Sequence, residues 1–187
     1  MRIIAGIWRG RPIEAPPGRE TRPTSDRARE GQFSMLNSRL GGFEDLQVAD
    51  LFAGTGALGL EALSRGAAFC TFVEKERAAL DILRRNIARL DAGERADVLA
   101  QSVEHVLPPP RPLDLVLMDP PYRTGLAQAA LDRIAAPGWL AAGAWISVEL
   151  SGEDIAVPDS LSLEAERRFG KARILLLRAG PGAAQPG

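Results

Sequence analysis

Short apolar runs recur along the chain, each followed by a polar or glycine-rich break and then by a stretch with apolar residues three and four apart. The first kind predicts buried strands and the second amphipathic helices. On this pattern, residues 48–52, 70–74, 96–100, 113–118 and 144–150 are strands, and residues 58–65, 77–90 and 126–135 are helices. Ser102 opens a short helix to Leu107, and Pro108-Pro109-Pro110 is a stiff connector. Residues 163–169 and 173–177 form a terminal strand pair around Gly170. Strands separated by helices imply an α/β fold, a mostly parallel sheet covered on both faces, here ending in an antiparallel pair for seven strands in all.

The first 45 residues break that rhythm. Residues 1–8 are apolar and partly alternating, Gly10 interrupts them, and Arg11-Pro12-Ile13 resumes an extended path, which predicts a small hairpin or edge ribbon. Pro16-Pro17-Gly18 is a turn. Thr24 or Ser25 is expected to cap a helix with Asp26 in its first turn; Phe33, Met35, Leu36 and Leu40 pack it inward, and Gly41-Gly42 ends it. The expected organisation is therefore an extension over 1–45, a main domain over 46–180 and a disordered tail over 181–187.

Composition narrows the class. The 187 residues are 45% hydrophobic, enough for a globular core, and no apolar run reaches membrane-spanning length. The N-terminus has no signal-peptide core, and the single cysteine, Cys70, excludes an internal disulfide, so a cytoplasmic protein is expected. One His and one Cys argue against a zinc site, no metal is expected, and a Ser-His-Asp triad would depend wholly on His105. The net charge of −1 hides an asymmetry: residues 1–30 hold seven arginines against four acids, a local charge of +3. Arg22, Arg27 and Arg29 lie at a helix start, where cations call for an anion: a phosphate, or local pairing to Glu20, Asp26 and Glu30.

The strand 113–118 ends in Asp119-Pro120-Pro121-Tyr122. Two prolines cannot continue a ladder, so a carboxylate, rigid carbonyls and an aromatic ring gather at a strand's carboxyl end, where open α/β sheets bind ligands. Asp119 and the Pro120 carbonyl are acceptors without a competing N–H, a match for the two hydrogens of an exocyclic amine. Holding both hydrogens favours the pyramidal amine and frees its lone pair for attack. Tyr122 offers a face for stacking the ring that carries it.

A second signal lies upstream. Residues 53–59 form a glycine-rich turn after the first strand, and Glu74 ends the second strand, where a carboxylate suits ribose hydroxyls. Gly54-Thr55-Gly56-Ala57-Leu58-Gly59 also satisfies the nicotinamide-binding spacing, but a dehydrogenase leaves the Asp-Pro-Pro-Tyr cluster without a use.

Asp50-Leu51-Phe52-Ala53-Gly54-Thr55-Gly56 resembles motif I of the class I S-adenosylmethionine-dependent methyltransferases, and Asp119-Pro120-Pro121-Tyr122 their amino-methylating motif IV. Arg2-Ile3-Ile4-Ala5-Gly6, Arg9-Gly10-Arg11 and the run from Arg22 to Glu30 narrow the resemblance to the RsmD family, which methylates a guanine N2 of bacterial 16S ribosomal RNA. The resemblance runs from Met1 to about Leu177 and implies a Rossmann-like class I methyltransferase fold with a small basic N-terminal ribbon-and-helix extension. It implies that Asp50, Phe52, Ala53, Gly54, Thr55 and Gly56 hold the cofactor's methionine end, that Glu74 binds its ribose and that Asp119 lies beside it. Ser102 stands where an acid usually contacts the adenine. Asp119, Pro120, Pro121 and Tyr122 would hold the guanine, and Arg9, Arg11, Arg22 and Arg27 the RNA. The implied product is S-adenosylhomocysteine, and the implied partner is 16S rRNA in a small ribosomal subunit or an assembly intermediate, approached by a monomer. Rival readings are methylation of a DNA amino group or a protein glutamine, and a non-catalytic RNA-binding assembly factor.

Overall fold

The computed structural model describes residues 1–15, 23–122 and 124–181. Its strands are β1 (Gln47–Leu51), β2 (Phe69–Glu74), β3 (Ala96–Ala100), β4 (Leu113–Met118), β5 (Leu140–Leu150), β6 (Leu161–Phe169) and β7 (Ala172–Ala179). Its helices are α1 (Pro23–Leu40), α2 (Ala57–Ser64), α3 (Arg77–Leu90) and α4 (Leu126–Ile134). The strands form one seven-stranded sheet in the order β3-β2-β1-β4-β5-β7-β6. β1 to β5 run parallel, and β7 and β6 are antiparallel additions at one side. The order reverses between β1 and β4, which places a crevice at their carboxyl ends.

The central strands are apolar without alternation because both faces are covered. Val48, Leu115, Leu117 and Trp145 join the core under α1, α2 and α3, while Ala49, Leu51, Val116, Met118, Ile146 and Val148 join the core under α4. β6 instead is exposed along most of its length and rich in charged side chains, as an edge strand often is.

Several local expectations need correction. α1 begins at Pro23, so Thr24 and Ser25 lie inside its first turn and do not precede it; proline suits this place because its missing N–H has no helical partner. The expected short helix after β3 is a single 3-10 turn, Val103–His105, cut off by the three prolines. β5 starts at Leu140, ahead of residue 144, because a register shift against β4 and a positive φ of 75° at Gly143 let it bend and continue. The Pro16-Pro17-Gly18 turn, Arg22 and the tail beyond Pro181 lie outside the described residues.

The N-terminal ribbon is real and small. Arg2 pairs with Pro12, and Ile3 and Ile13 donate to the carbonyls of Arg11 and Met1. Ile3, Trp8 and Ile13 are buried against the main core. Gly6, at φ 84°, lies where a side chain would strike the backbone of Ser64, so the ribbon seats directly on α2.

Candidate active site

Neighbouring register brings the two sequence motifs together. Leu51 is paired with Met118, so the residues that follow β1 and β4 leave the sheet side by side. The turn after β1 is tightly folded: Phe52 has a positive φ of 65°, Ala53 donates to the carbonyl of Val73 at 2.9 Å, and Gly56 donates to Ala53 at 2.7 Å. Gly56, at φ 83°, has no room for a Cβ, which would lie 2.4 Å from Leu83. A Cβ on Gly54, at φ 55°, would stand in open space with only the Phe52 carbonyl at 4.0 Å. The turn is thus fixed from below and clear above, a backbone shape suited to close approach by a ligand.

Carboxylates secure this turn. Asp50 is buried, and its Oδ2 accepts the Gly59 N–H at 2.8 Å, tying β1 to the first turn of α2. Glu74 Oε2 accepts the Gly54 N–H at 2.8 Å, and Oε1 accepts the N–H groups of Lys75 and Glu76. Asn86 on α3 adds a brace, donating to the Thr55 carbonyl at 3.0 Å.

The second motif is also shaped by its sequence. Pro120 is buried, while Asp119, Pro121 and Tyr122 are exposed. Thr124 Oγ1 donates to the Pro121 carbonyl at 2.9 Å, and Gly125, at φ 72°, leads into α4. Tyr122 lines a groove of about 480 Å³ with Ser151, Gly152, Arg168, Gly170 and Lys171. The last three belong to the β6–β7 hairpin, whose tip lies at the carboxyl rim because Arg173 pairs with Leu150. A groove of about 340 Å³ on the opposite sheet face, lined by Leu51, Val73, Leu99 and Pro108, contains none of these carboxylates.

Negative charge accumulates at this rim. Burial, countered by the Gly59 hydrogen bond and reinforced by Asp119 and Glu74, pushes the Asp50 carboxyl up to about 7. Burial and the nearby Asp119 likewise push Glu149 up to about 7. Such a cluster favours a cationic or donor-rich ligand.

The predicted RNA contacts divide. Ser64 ends α2 at the amino rim, and it accepts from the Trp8 N–H; Arg11 donates to the Arg89 carbonyl at the end of α3, at the same rim. Arg9 and Arg11 therefore sit across the sheet from Asp119 and do not join the site. Arg29 is buried and bonded to Asp26 and the Arg2 carbonyl, so local pairing takes it. α1 runs antiparallel to β5, with Gln32 on Ser147 and Arg39 over Trp145, which leaves exposed Arg27 towards the carboxyl rim. Ser102 donates to Glu104 at 2.9 Å, bringing an acid to the neighbourhood where the motif lacks one.

Sequence reasoning missed Glu149, Asn86, Arg168 and Lys171. Each sits in an otherwise ordinary strand, helix or turn, and only tertiary packing brings it to the site.

The family model described as Conserved hypothetical protein 95 matches residues 1–178. Ribosomal RNA small subunit methyltransferase D of Escherichia coli K12 is 40% identical over 91% of this chain and 86% of its own length. The protein of the same name from Haemophilus influenzae is 36% identical over 91% of this chain and 89% of its own. The solved Escherichia coli yhhF structure superposes with a TM-score of 0.83 at 37% identity, over 97% of this chain and 98% of that one.

Proposed function

The chain belongs to the RsmD family of methyltransferases, matched as Conserved hypothetical protein 95, and on that premise we propose that it methylates the exocyclic N2 of one guanine in 16S ribosomal RNA. The observation that carries the reading is the Leu51 to Met118 register, which sets the clear glycine turn beside Asp119-Pro120-Pro121-Tyr122. The residues fit S-adenosylmethionine: an open backbone cradle at Gly54, a ribose acceptor in Glu74, and acids at Asp50 and Asp119 for its positive charges. When bound, that cofactor supplies a sulfonium-activated methyl group and leaves as S-adenosylhomocysteine.

The protein's own part is orientation and charge. Phe52, Ala53, Thr55 and Gly56 shape the cradle, and buried Asp50 fixes it through Gly59. Asp119 and the Pro120 carbonyl accept the two hydrogens of the target amine and stabilise the charge that develops on nitrogen. No covalent enzyme intermediate is required, since a sulfonium methyl is electrophilic enough for direct transfer, and the proton would be lost to water after attack. Pro121 stiffens the turn, and exposed Tyr122 stacks on the base once it leaves its own stack. Ser102 and Glu104 face the adenine side together. Arg27, Arg168 and Lys171 hold phosphates near the base, while Arg9 and Arg11 are left for more distant RNA.

The proposed substrate is an assembled small subunit or an assembly intermediate, approached by a monomer in the cytoplasm. None of the described helices is long and apolar enough to cross a membrane. Mapping modified guanines in small-subunit RNA from cells with and without the gene tests the activity. One N2-methylguanine should disappear, and an unchanged map would remove the assignment. Methylation of particles, but not of naked 16S rRNA, by the purified protein would support the particle as substrate.

A further inference from the structure

We propose that Glu149 makes the site specific for guanine, accepting the N1–H of the base while Asp119 and Pro120 hold the neighbouring amine. The inference rests on the reading of the site as an RNA amino-methyltransferase and goes beyond its motifs. Motif IV grips an amine on a flat ring, and adenine, cytosine and guanine all carry one. They differ at the adjoining ring nitrogen: N1 of adenine and N3 of cytosine are acceptors, whereas N1 of guanine carries a hydrogen. A second acceptor beside the amine grip therefore selects guanine and repels the other two.

The sheet puts such an acceptor there. Met118 and Val148 are paired in the parallel β4–β5 ladder, so Asp119 and Glu149 are the next residues of adjacent strands. They also share a face. Leu115, Leu117 and Trp145 point into the core under α1 to α3, and Val116, Met118, Ile146 and Val148 into the opposite one, so alternation sends Asp119 and Glu149 to the first side together. Asp50 lies on that side too, and Asp119 interacts electrostatically with both Asp50 and Glu149. Among the described residues no ion pair neutralises Glu149. Burial and the Asp119 charge both oppose its ionisation, a cost that an incoming donor edge relieves. Two carboxylates facing N1–H and N2–H also stabilise the positive charge that develops on the attacking nitrogen.

The test changes the hydrogen-bonding edge of the base and one heavy atom of the side chain. Small subunits are reconstituted with a ligated 16S rRNA carrying either guanine or 2-aminopurine at the methylated nucleotide. 2-Aminopurine keeps the amine but lacks O6 and presents N1 as an acceptor; the loss of O6 is common to both proteins, so the change in ratio between them reads the N1 contact. The wild-type protein should methylate guanine in preference by about 10- to 100-fold, the range expected for a hydrogen bond to a charged group. Glu149→Gln, whose amide can donate to N1, should shrink that ratio at least tenfold while its S-adenosylmethionine affinity, read by calorimetry, stays at the wild-type value. An unchanged ratio overturns the proposal, and so does loss of cofactor binding, which would assign Glu149 to the other ligand. If the wild-type protein leaves the guanine particles unmethylated, the underlying functional reading fails instead.

Discussion

The two rims of the sheet are built from the same residue types and put them to different use. At the amino rim and along α2, charges are satisfied within the chain. Buried Glu61 accepts the Ile4 and Ala5 N–H groups and pairs with Arg65 at 2.8 Å. Arg65 lies over the Phe33 ring, Arg95 lies over Trp8, and Arg11 answers the carbonyl end of α3. At the carboxyl rim, Asp50, Asp119 and Glu149 are set against one another, and Arg168 and Lys171 border a groove. Breaking an internal ion pair leaves a charge stranded and destabilises the fold, whereas carboxylates crowded together favour a cationic or donor-rich ligand. Variants at the first rim should therefore alter stability without changing chemistry, and variants at the second should do the reverse.

The largest expected effect is at Glu61. Glu61→Ala strands Arg65 and two backbone donors and should cost about 3–5 kcal/mol of unfolding free energy. Urea denaturation measures it, and the molecules still folded should methylate at the normal rate. Next, Asp119→Ala should lower kcat by about 10²–10³, the usual loss for a group that stabilises developing charge, far more than it weakens cofactor binding, with the denaturation midpoint little changed. A matching loss of stability there would erase the distinction between the rims.

Replacing Arg168 and Lys171 together should flatten the salt dependence of particle binding by roughly two units, one per phosphate contact. The Arg9 and Arg11 pair should move that slope less, and Arg11→Ala should cost only about 0.3–1 kcal/mol of stability through the end of α3. Equal slopes for the two pairs would sharpen the picture differently, by extending the RNA footprint to both rims.

A pH effect belongs to Asp50. Its folded carboxyl titrates at about 7 against an ordinary 3.8, so the folded chain holds the proton more tightly than the unfolded one. That contribution is complete below pH 3.8 and is lost as the pH rises towards 7. Tm should accordingly fall across this interval from this source, and Asp50→Asn, which can still accept from Gly59, should flatten the decline. Glu149 will retain part of it, having the same sign.

The fold and half of the site were legible because they depend on local chemistry. Prolines ended β4 at Asp119, glycines marked the turn after β1, and apolar runs gave β3, β4 and α3 their observed limits. The arginines misled because charge says nothing about direction: Arg9, Arg11 and Arg29 look like one basic surface with Arg27, yet the first two lie at the far rim and the third is buried. α1 also began earlier than its capping residues indicated, since a proline can occupy the first helical position as readily as a cap can precede it.

By itself the sequence determined the order of strands and helices, the two turns at the carboxyl rim and the family, because backbone stops and apolar periods act over a few residues. Tertiary structure alone decided which charges meet. Parallel pairing brought Glu149 to Asp119 across 29 intervening positions of the chain, and the antiparallel hairpin carried Arg168 and Lys171 to Tyr122. Such neighbours are fixed by strand register and by the alternation of side chains between faces, which no local stretch of sequence contains.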